Sequence, residues 1–485
     1  MASIQKNLLL NAINTVVGIL IPIVTFPYAA RVLLPEGIGT VNFLNSIIGY
    51  ITLFAFLGIP MYAIKEVAKY RDDKQARDTI TIEILALSVV LCIFAYIAVF
   101  LLAAFVPQIH EQASLFYVLS ITILLSAIGV NWFYQGIEDF KFITIRGTII
   151  RLLAAVALFV FVKTKEDLLM YGWVLVGSTV GNGLVNFVHL RKHVAFNDIR
   201  WRNLRIWRHI GPAAQVFVMN LIISLYLQLN LIMLGLMSSE TAVGYYTAGT
   251  KITHIALTLI GSLGVVLLPR CSNLINKGDK SEFKAVIHKS LDVTLALSLP
   301  MAVGLIILAT PVTEIFCGPE FEPSIIVLIL NAPVMVFLGL TNVMGFQILY
   351  PMDKVNLVIL SVSVAAIVNI VLNIFLIPPY GATGAAIATL FAEFGVLVTQ
   401  AIIGRKYYPF RIRDFFKFSY WSATAIMAAA VIAATFAIHS DLTKLAVGVS
   451  FGITVYFSYL ILIKDSLVIG SFMPILKRFL HIHNV

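Results

Sequence analysis

The sequence predicts an all-α integral membrane protein with about fourteen transmembrane helices, two six-helix lobes and two further C-terminal helices. Three observations carry this prediction. Apolar residues make up 60% of the 485-residue chain and charged residues only 12%. Apolar runs of about 20 residues, the length that crosses a bilayer, recur from end to end. Basic residues collect on alternate connections between those runs. A mean hydropathy of +0.95 is far above that of soluble domains, which could not bury so much apolar surface.

The runs fall near 8–33, 38–64, 79–106, 115–135, 143–162, 168–190, 210–236, 243–268, 289–312, 324–350, 355–377, 381–403, 418–438 and 443–463. Only Lys6 stands as a basic residue ahead of the first run, which is too long for a signal-peptide core and lacks a small-residue cleavage site. It is therefore read as a helix. Pro22 and Pro27 are breakers expected to bend it.

Orientation follows from charge. With the N-terminus inside, all of the 34 Lys and Arg residues lie on cytoplasmic segments except Arg31, Lys163, Lys165 and Lys444 outside and Lys251 within a run. Both termini then face the cytoplasm. The net charge of +10 is read as this topology signal with some attraction to anionic membrane lipid, and no nucleic-acid partner is expected. Cys92, Cys271 and Cys317 form no CxxC pattern, so neither a disulfide nor a metal site is expected. GxSxG, phosphate-loop, HExxH and acidic-cluster patterns are missing from the sequence, and the outer connections are short, so no catalytic residues, no cofactor and no enzyme activity are expected.

A weak repeat of about 205–216 residues orders the helices into two halves. Gly39 at the entry to the second run matches Gly244 at the entry to the eighth. Tyr134-Gln135-Gly136 at the end of the fourth matches Tyr350-Pro351-Met352 at the end of the tenth, and Tyr171-Gly172 matches Tyr380-Gly381. The predicted division is 1–209 for the N-terminal lobe, 210–417 for the C-terminal lobe, and 418–485 for the last two helices and a cytoplasmic tail. Six helices per copy give both copies one orientation, related by an axis along the membrane normal. Transporter sites form at such repeat interfaces, so polar residues facing a cleft between lobes are the candidates.

On the second run Asn42, Asn45, Ser46 and Gly49 form a polar stripe at helical spacing. Two readings stand: a substrate-facing surface, or small polar groups that let helices pack. On the eighth run Thr247, Lys251, His254 and Thr258 form the matching stripe. A lysine deep in a span marks a functional site unless it snorkels outward. The first run adds Asn7, Asn11, Asn14 and Gly18, with Arg31 at its outer end as a substrate residue or an interfacial anchor. The seventh offers Gln215, Asn220, Ser224 and Gln228. Glu393, midway along the twelfth run, is read either as an ion-coupling acid or as a buried packing residue.

Three segments resemble the polysaccharide-export or O-antigen flippases of the Wzx type, within the MATE-like (MOP) transporter superfamily: FPYAARVLLPEGIGTVNFLNSI from Phe26, WFYQGIEDFKFITIRGTIIR from Trp132, and NIVLNIFLIPPYGATGAAIATLFAEF from Asn369. The resemblance spans nearly the whole chain and places Arg31 and Glu393 in family motifs. It implies a multi-pass protein of the bacterial cytoplasmic membrane that moves a polyprenyl-diphosphate-linked oligosaccharide from the inner to the outer leaflet without ATP, with room for contact with other polysaccharide-assembly proteins. The chain departs from the family at Asn230, where an acid is common, so cation coupling through that position is not expected. Three alternatives remain. A lipid-linked peptidoglycan-precursor flippase would carry more cavity cations, a multidrug/cation antiporter would show buried acids, and a membrane-bound sugar polymerase would need a larger outer loop.

Overall fold

The computed structural model describes residues 4–56, 58–196 and 204–472. They are mostly helical, with no strand among the described residues. The chain divides into two compact units, Met1–Gly244 and Tyr245–Val485. Ten described helices are long and apolar enough to cross a membrane, and two of them contain a break: Leu20–Phe56, which holds parts of the first two predicted runs, and Val355–Ile403, which holds the eleventh and twelfth.

In the first unit the helices are α1 (Ile4–Phe56), α2 (Ile59–Lys69), α3 (Lys74–Phe105), α4 (Pro107–Glu111), α5 (Ala113–Ile128), α6 (Asn131–Gly136), α7 (Phe140–Phe161), α8 (Leu168–Leu190) and α9 (Ile210–Met237). α1 is the hub, packing against α3, α5, α7 and α9. It keeps helical dihedrals through Pro22 and Pro27 and breaks at Leu34 (φ 61°, ψ 174°). Pro35 is the cause: its ring disfavours helical geometry in the residue before it and it offers no N–H to the preceding turn. The Tyr28 hydroxyl donates to the Val162 carbonyl at 2.8 Å just before this turn, tying α1 to the end of α7.

The second and fourth predicted runs are each interrupted. Gly58 takes a left-handed conformation (φ 74°) and Pro60 sits in the first turn of α2, so 38–64 is broken between Phe56 and Ile59. Val130 (φ 36°) separates α5 from α6. Along α3, Ile93, Ile97, Phe100 and Phe105 are exposed at near-helical spacing, as a lipid-facing stripe requires.

The second unit holds most of α10 (Glu240–Lys277), whose first five residues precede the division, then α11 (Lys280–Ile307), α12 (Ala309–Phe316), α13 (Ser324–Asn331), α14 (Val334–Asn342), α15 (Val355–Ile403), α16 (Phe418–Thr435) and α17 (Asp441–Leu462). The tenth run is split at Pro333 and ends in a wide π turn over Val343–Leu349. α15 reverses at Gly381 (φ 51°, ψ −126°), after Pro378 and Pro379. A side chain on Gly384 would meet the Leu376 carbonyl, so only glycine lets this reversal close.

The sequence markers have structural counterparts. After Tyr134, Glu138 adopts φ 59°, its N–H bonds the Gln135 carbonyl and the Asp139 N–H bonds the Tyr134 carbonyl. After Leu349, Asp353 adopts φ 57°, its N–H bonds the Tyr350 carbonyl and the Lys354 N–H bonds the Leu349 carbonyl. Both are Schellman closures that use a non-glycine residue in the left-handed region.

Candidate functional site

The stripe on α10 runs along one side of the helix. At 100° per residue, Thr247, Lys251, His254 and Thr258 share a face, while Tyr246, Gly249 and Thr253 lie on the opposite one. That opposite face packs into the second unit. The Tyr246 hydroxyl is 2.9 Å from the Thr389 hydroxyl of α15, and a side chain on Gly249 would press on Val327 of α13. The polar stripe is therefore turned away from α13 and α15. Lys251 is half-buried and His254 and Thr258 are exposed. Thr247 is buried, and its hydroxyl has no hydrogen-bond partner.

The stripe on the second segment of α1 is bonded differently. The Asn42 amide donates to the Ile38 carbonyl and the Ser46 hydroxyl to the Phe43 carbonyl, both at 2.7 Å, so these groups satisfy themselves on their own helix. Ser46 is buried and Asn45 half-buried. α9 covers part of this face: a side chain on Gly49 would meet the Gln228 amide, and one on Gly235 would enter the Phe43 ring. Small residues thus bring α1 and α9 together along the stripe.

Arg31 is exposed, three residues before the turn at Leu34. The side chains of Asn7, Asn11, Asn14, Gln215, Asn220 and Ser224 lie outside the described residues. Glu393 is buried on α15, one turn beyond Thr389, on the face that carries Val396 and Gln400. Asn230 is buried near the end of α9.

Two features escaped the sequence reading. Glu83 is nine residues into α3 and only 2% exposed. Its carboxylate accepts from the Arg205 N–H at 2.7 Å, Arg208 Nη2 at 2.5 Å and His209 Nε2 at 3.0 Å. The Tyr62 hydroxyl reaches His209 Nδ1 at 2.8 Å. This network gathers α2, α3 and the entry to α9. Burial pushes the His209 imidazole below its ordinary value, although the Glu83 carboxylate pulls the other way. An acid inside the apolar run 79–106 was itself a signal.

The other feature is a reciprocal crossing. A side chain on Gly39 would collide with the Glu240 carbonyl, and one on Gly244 with the Pro35 carbonyl. The repeat offset that carries Gly39 to Gly244 also carries Pro35 to Glu240. Under the repeat offset the two contacts are therefore equivalents of each other. The Thr40 hydroxyl donates to the Glu240 carboxylate beside it.

Comparison with known proteins adds to this geometry. Residues 4–275, more than half of the chain, match the family described as "Polysaccharide biosynthesis protein". The chain belongs to that family. It is 24% identical over 397 residues to the "Putative O-antigen transporter" of Escherichia coli K12, covering 82% of this chain and 93% of that one. It is 22% identical over 236 residues to the "Probable low-salt glycan biosynthesis flippase Agl15" of Haloferax volcanii, covering 48% of this chain and 49% of that one. A solved structure of lipid II flippase MurJ in an inward closed conformation superposes with a TM-score of 0.77 over 94% of this chain and 98% of that one, at 16% identity. The fold is that of this membrane transporter group, and the relatives are transporters and flippases rather than enzymes.

Proposed function

We propose that this member of the polysaccharide biosynthesis protein family is a flippase. It moves a polyprenyl-diphosphate-linked oligosaccharide from the cytoplasmic to the outer leaflet of the bacterial inner membrane by alternating access of two lobes, 1–209 and 210–417, with both termini cytoplasmic. The observation that carries this reading is the α10 stripe, where a half-buried lysine shares a helix face with a buried threonine hydroxyl that has no partner. An unmade hydrogen bond on a buried hydroxyl costs about 1–3 kcal/mol, which a sugar hydroxyl would offset. Lys251, with Arg31, suits the diphosphate. His254, Asn42, Asn45, Ser46, Asn11 and Asn14 complete the proposed polar route, because moving sugar hydroxyls through hydrocarbon costs several kcal/mol each.

The membrane potential supplies the driving force in this reading. One elementary charge crossing 100 mV is worth about 2.3 kcal/mol, so an outward-moving diphosphate with about two charges gains roughly 4–5 kcal/mol from a negative interior. The gain requires that Lys251 and Arg31 stay nearly still while the lobes rock around them. The test is flipping of a fluorescent polyprenyl-diphosphate glycan in vesicles holding a potassium–valinomycin potential without a proton or sodium gradient. The potential should accelerate flipping toward the positive side. Lys251→Ala should lower the rate at least tenfold at normal abundance, with Lys251→Arg retaining part of it. Normal flipping by Lys251→Ala would remove Lys251 from the site. A rate that ignores the potential, follows a proton gradient and falls in Glu393→Gln would make the chain an ion antiporter.

A further inference from the structure

We propose that Arg146, His189 and Lys141 form a binding site for a phosphate carried on hydrocarbon chains, in the first unit between α7 and α8. These residues line a cavity of about 540 Å³ together with Asp139, Phe142, Ile145, Ile149, Ile150 and Val185. The family-like segment from Trp132 to Arg151 supplies most of it, and the α10 stripe contributes nothing to it.

Arg146 is the decisive residue. It is only 9% exposed. Its Nε donates to Asn182 Oδ1 at 2.9 Å and its Nη2 to Asn131 Oδ1 at 3.1 Å, which fixes the plane of the guanidinium. Its Nη1 is buried with no hydrogen-bond partner. His189 repeats the pattern: its ring stacks on Phe142 with centroids 4.2 Å apart, and its Nδ1 is buried without a partner. A buried guanidinium nitrogen with an unmade bond is unfavourable, and an anionic oxygen is the acceptor that satisfies it best. Lys141 adds an exposed cation at the rim. Asp139 brings the opposing charge, but one of its carboxylate oxygens is engaged in capping α7, accepting from the Phe142 N–H at 3.1 Å.

The rest of the wall selects the ligand. Ile145, Ile149 and Val185 are exposed large apolar residues flanking the cationic end. Free inorganic phosphate would leave that wall unused, whereas a lipid lays its chains along it and its phosphate on Arg146. Two lipids share this chemistry. A bulk anionic phospholipid requires nothing further, and a polyprenyl diphosphate rests on the function proposed above.

The experiment is ligand binding to the purified full chain in detergent, followed by native mass spectrometry and by thermal shift. The probes are phosphatidylglycerol, phosphatidylcholine, undecaprenyl diphosphate and inorganic phosphate. At least one of the two anionic lipids should bind more than tenfold tighter than phosphatidylcholine, and inorganic phosphate should bind far more weakly. Preference for undecaprenyl diphosphate identifies the transported lipid as the source, and preference for phosphatidylglycerol identifies the bulk membrane. Arg146→Gln should abolish the preference. Because Arg146 also ties α6 to α8, two milder variants accompany it: His189→Phe, which keeps the stack on Phe142, and Lys141→Gln on the exposed rim. Each should weaken anionic-lipid binding several-fold without lowering the melting temperature of the lipid-free protein. Equal binding of anionic and zwitterionic lipid by the wild type, or unchanged binding in all three variants, overturns the site. A chain that binds but does not flip loses the proposed function and keeps this site.

Discussion

The two ends of α9 are held by opposite means. At its start, long side chains converge on one carboxylate: Arg208 and His209 reach Glu83, and Tyr62 reaches His209. Past its end, the backbone itself makes the contact, with Gly39 against the Glu240 carbonyl and Gly244 against the Pro35 carbonyl. The side-chain network spans its gap with rotatable bonds, so it tolerates small displacements and can break and re-form. The glycine crossing has no adjustable part. Any Cβ there meets main chain, and main chain yields only if whole helices move. One end of the helix is therefore adjustable and the other sets a distance.

The sharpest way to break this comparison is to add volume at the crossing. Gly39→Val and Gly244→Val should each cost about 3 kcal/mol, the upper part of the overpacking range. Because the contacts are reciprocal, the two variants should lose stability to a similar extent in thermal melts of the purified protein. A silent Gly39→Val would mean that the helices do not approach this closely.

At the other end, Glu83→Gln keeps the shape and removes the charge. It should cost about 2 kcal/mol, the worth of hydrogen bonds to a charged group, with part of the loss spared because Arg208 reaches the surface. Helical content should stay normal. Exchange of the Arg205 amide hydrogen should speed up, because that N–H bonds the lost charge. Unchanged protection there would show that the carboxylate does not hold the entry to α9.

Acidity separates the ends more gently. Burial lowers the His209 value, so protonation favours the unfolded chain; the stability is complete above the ordinary histidine value of about 6.5 and declines as pH falls below it. Melting should soften modestly from pH 7 to pH 5.5, and His209→Phe should flatten that dependence. The glycine crossing contributes nothing to it. The smallest effect belongs to Asn42→Ala, which removes a bond made only to its own helix; it should change stability by less than about 0.5 kcal/mol. Unchanged transport in that variant would remove Asn42 from the proposed polar route and leave it a packing residue.

Much of the architecture was legible because the bilayer imposes it. Hydrocarbon thickness sets the length of a spanning run, so the apolar segments could be counted and most of their ends lie within a few residues of the observed helices. The reversal at Pro378–Gly381 and the turn at Pro35 were written in local covalent chemistry. The breaks within runs were less visible. Gly58 and Pro333 were signals that the apolar pattern outweighed, while Val130 offers none, since a β-branched residue in a left-handed conformation is held there only by its surroundings.

By itself, the sequence determined the membrane class, the number of apolar runs, the paired markers at Gly39 and Gly244 and the polar stripe on α10. These depend on composition and on spacing along one helix, which the chain carries locally. Only the tertiary structure decided that Gly39 and Gly244 mark one reciprocal contact, that Glu83 is the anchor for Arg208 and His209, and that Arg146, counted in the sequence as a charge on an inner segment, is buried with an unmade bond. Each depends on groups far apart in the chain meeting at hydrogen-bonding or van der Waals distance. Hydropathy and periodicity describe how each helix meets its solvent, and they carry no information about which distant side chain completes a buried charge.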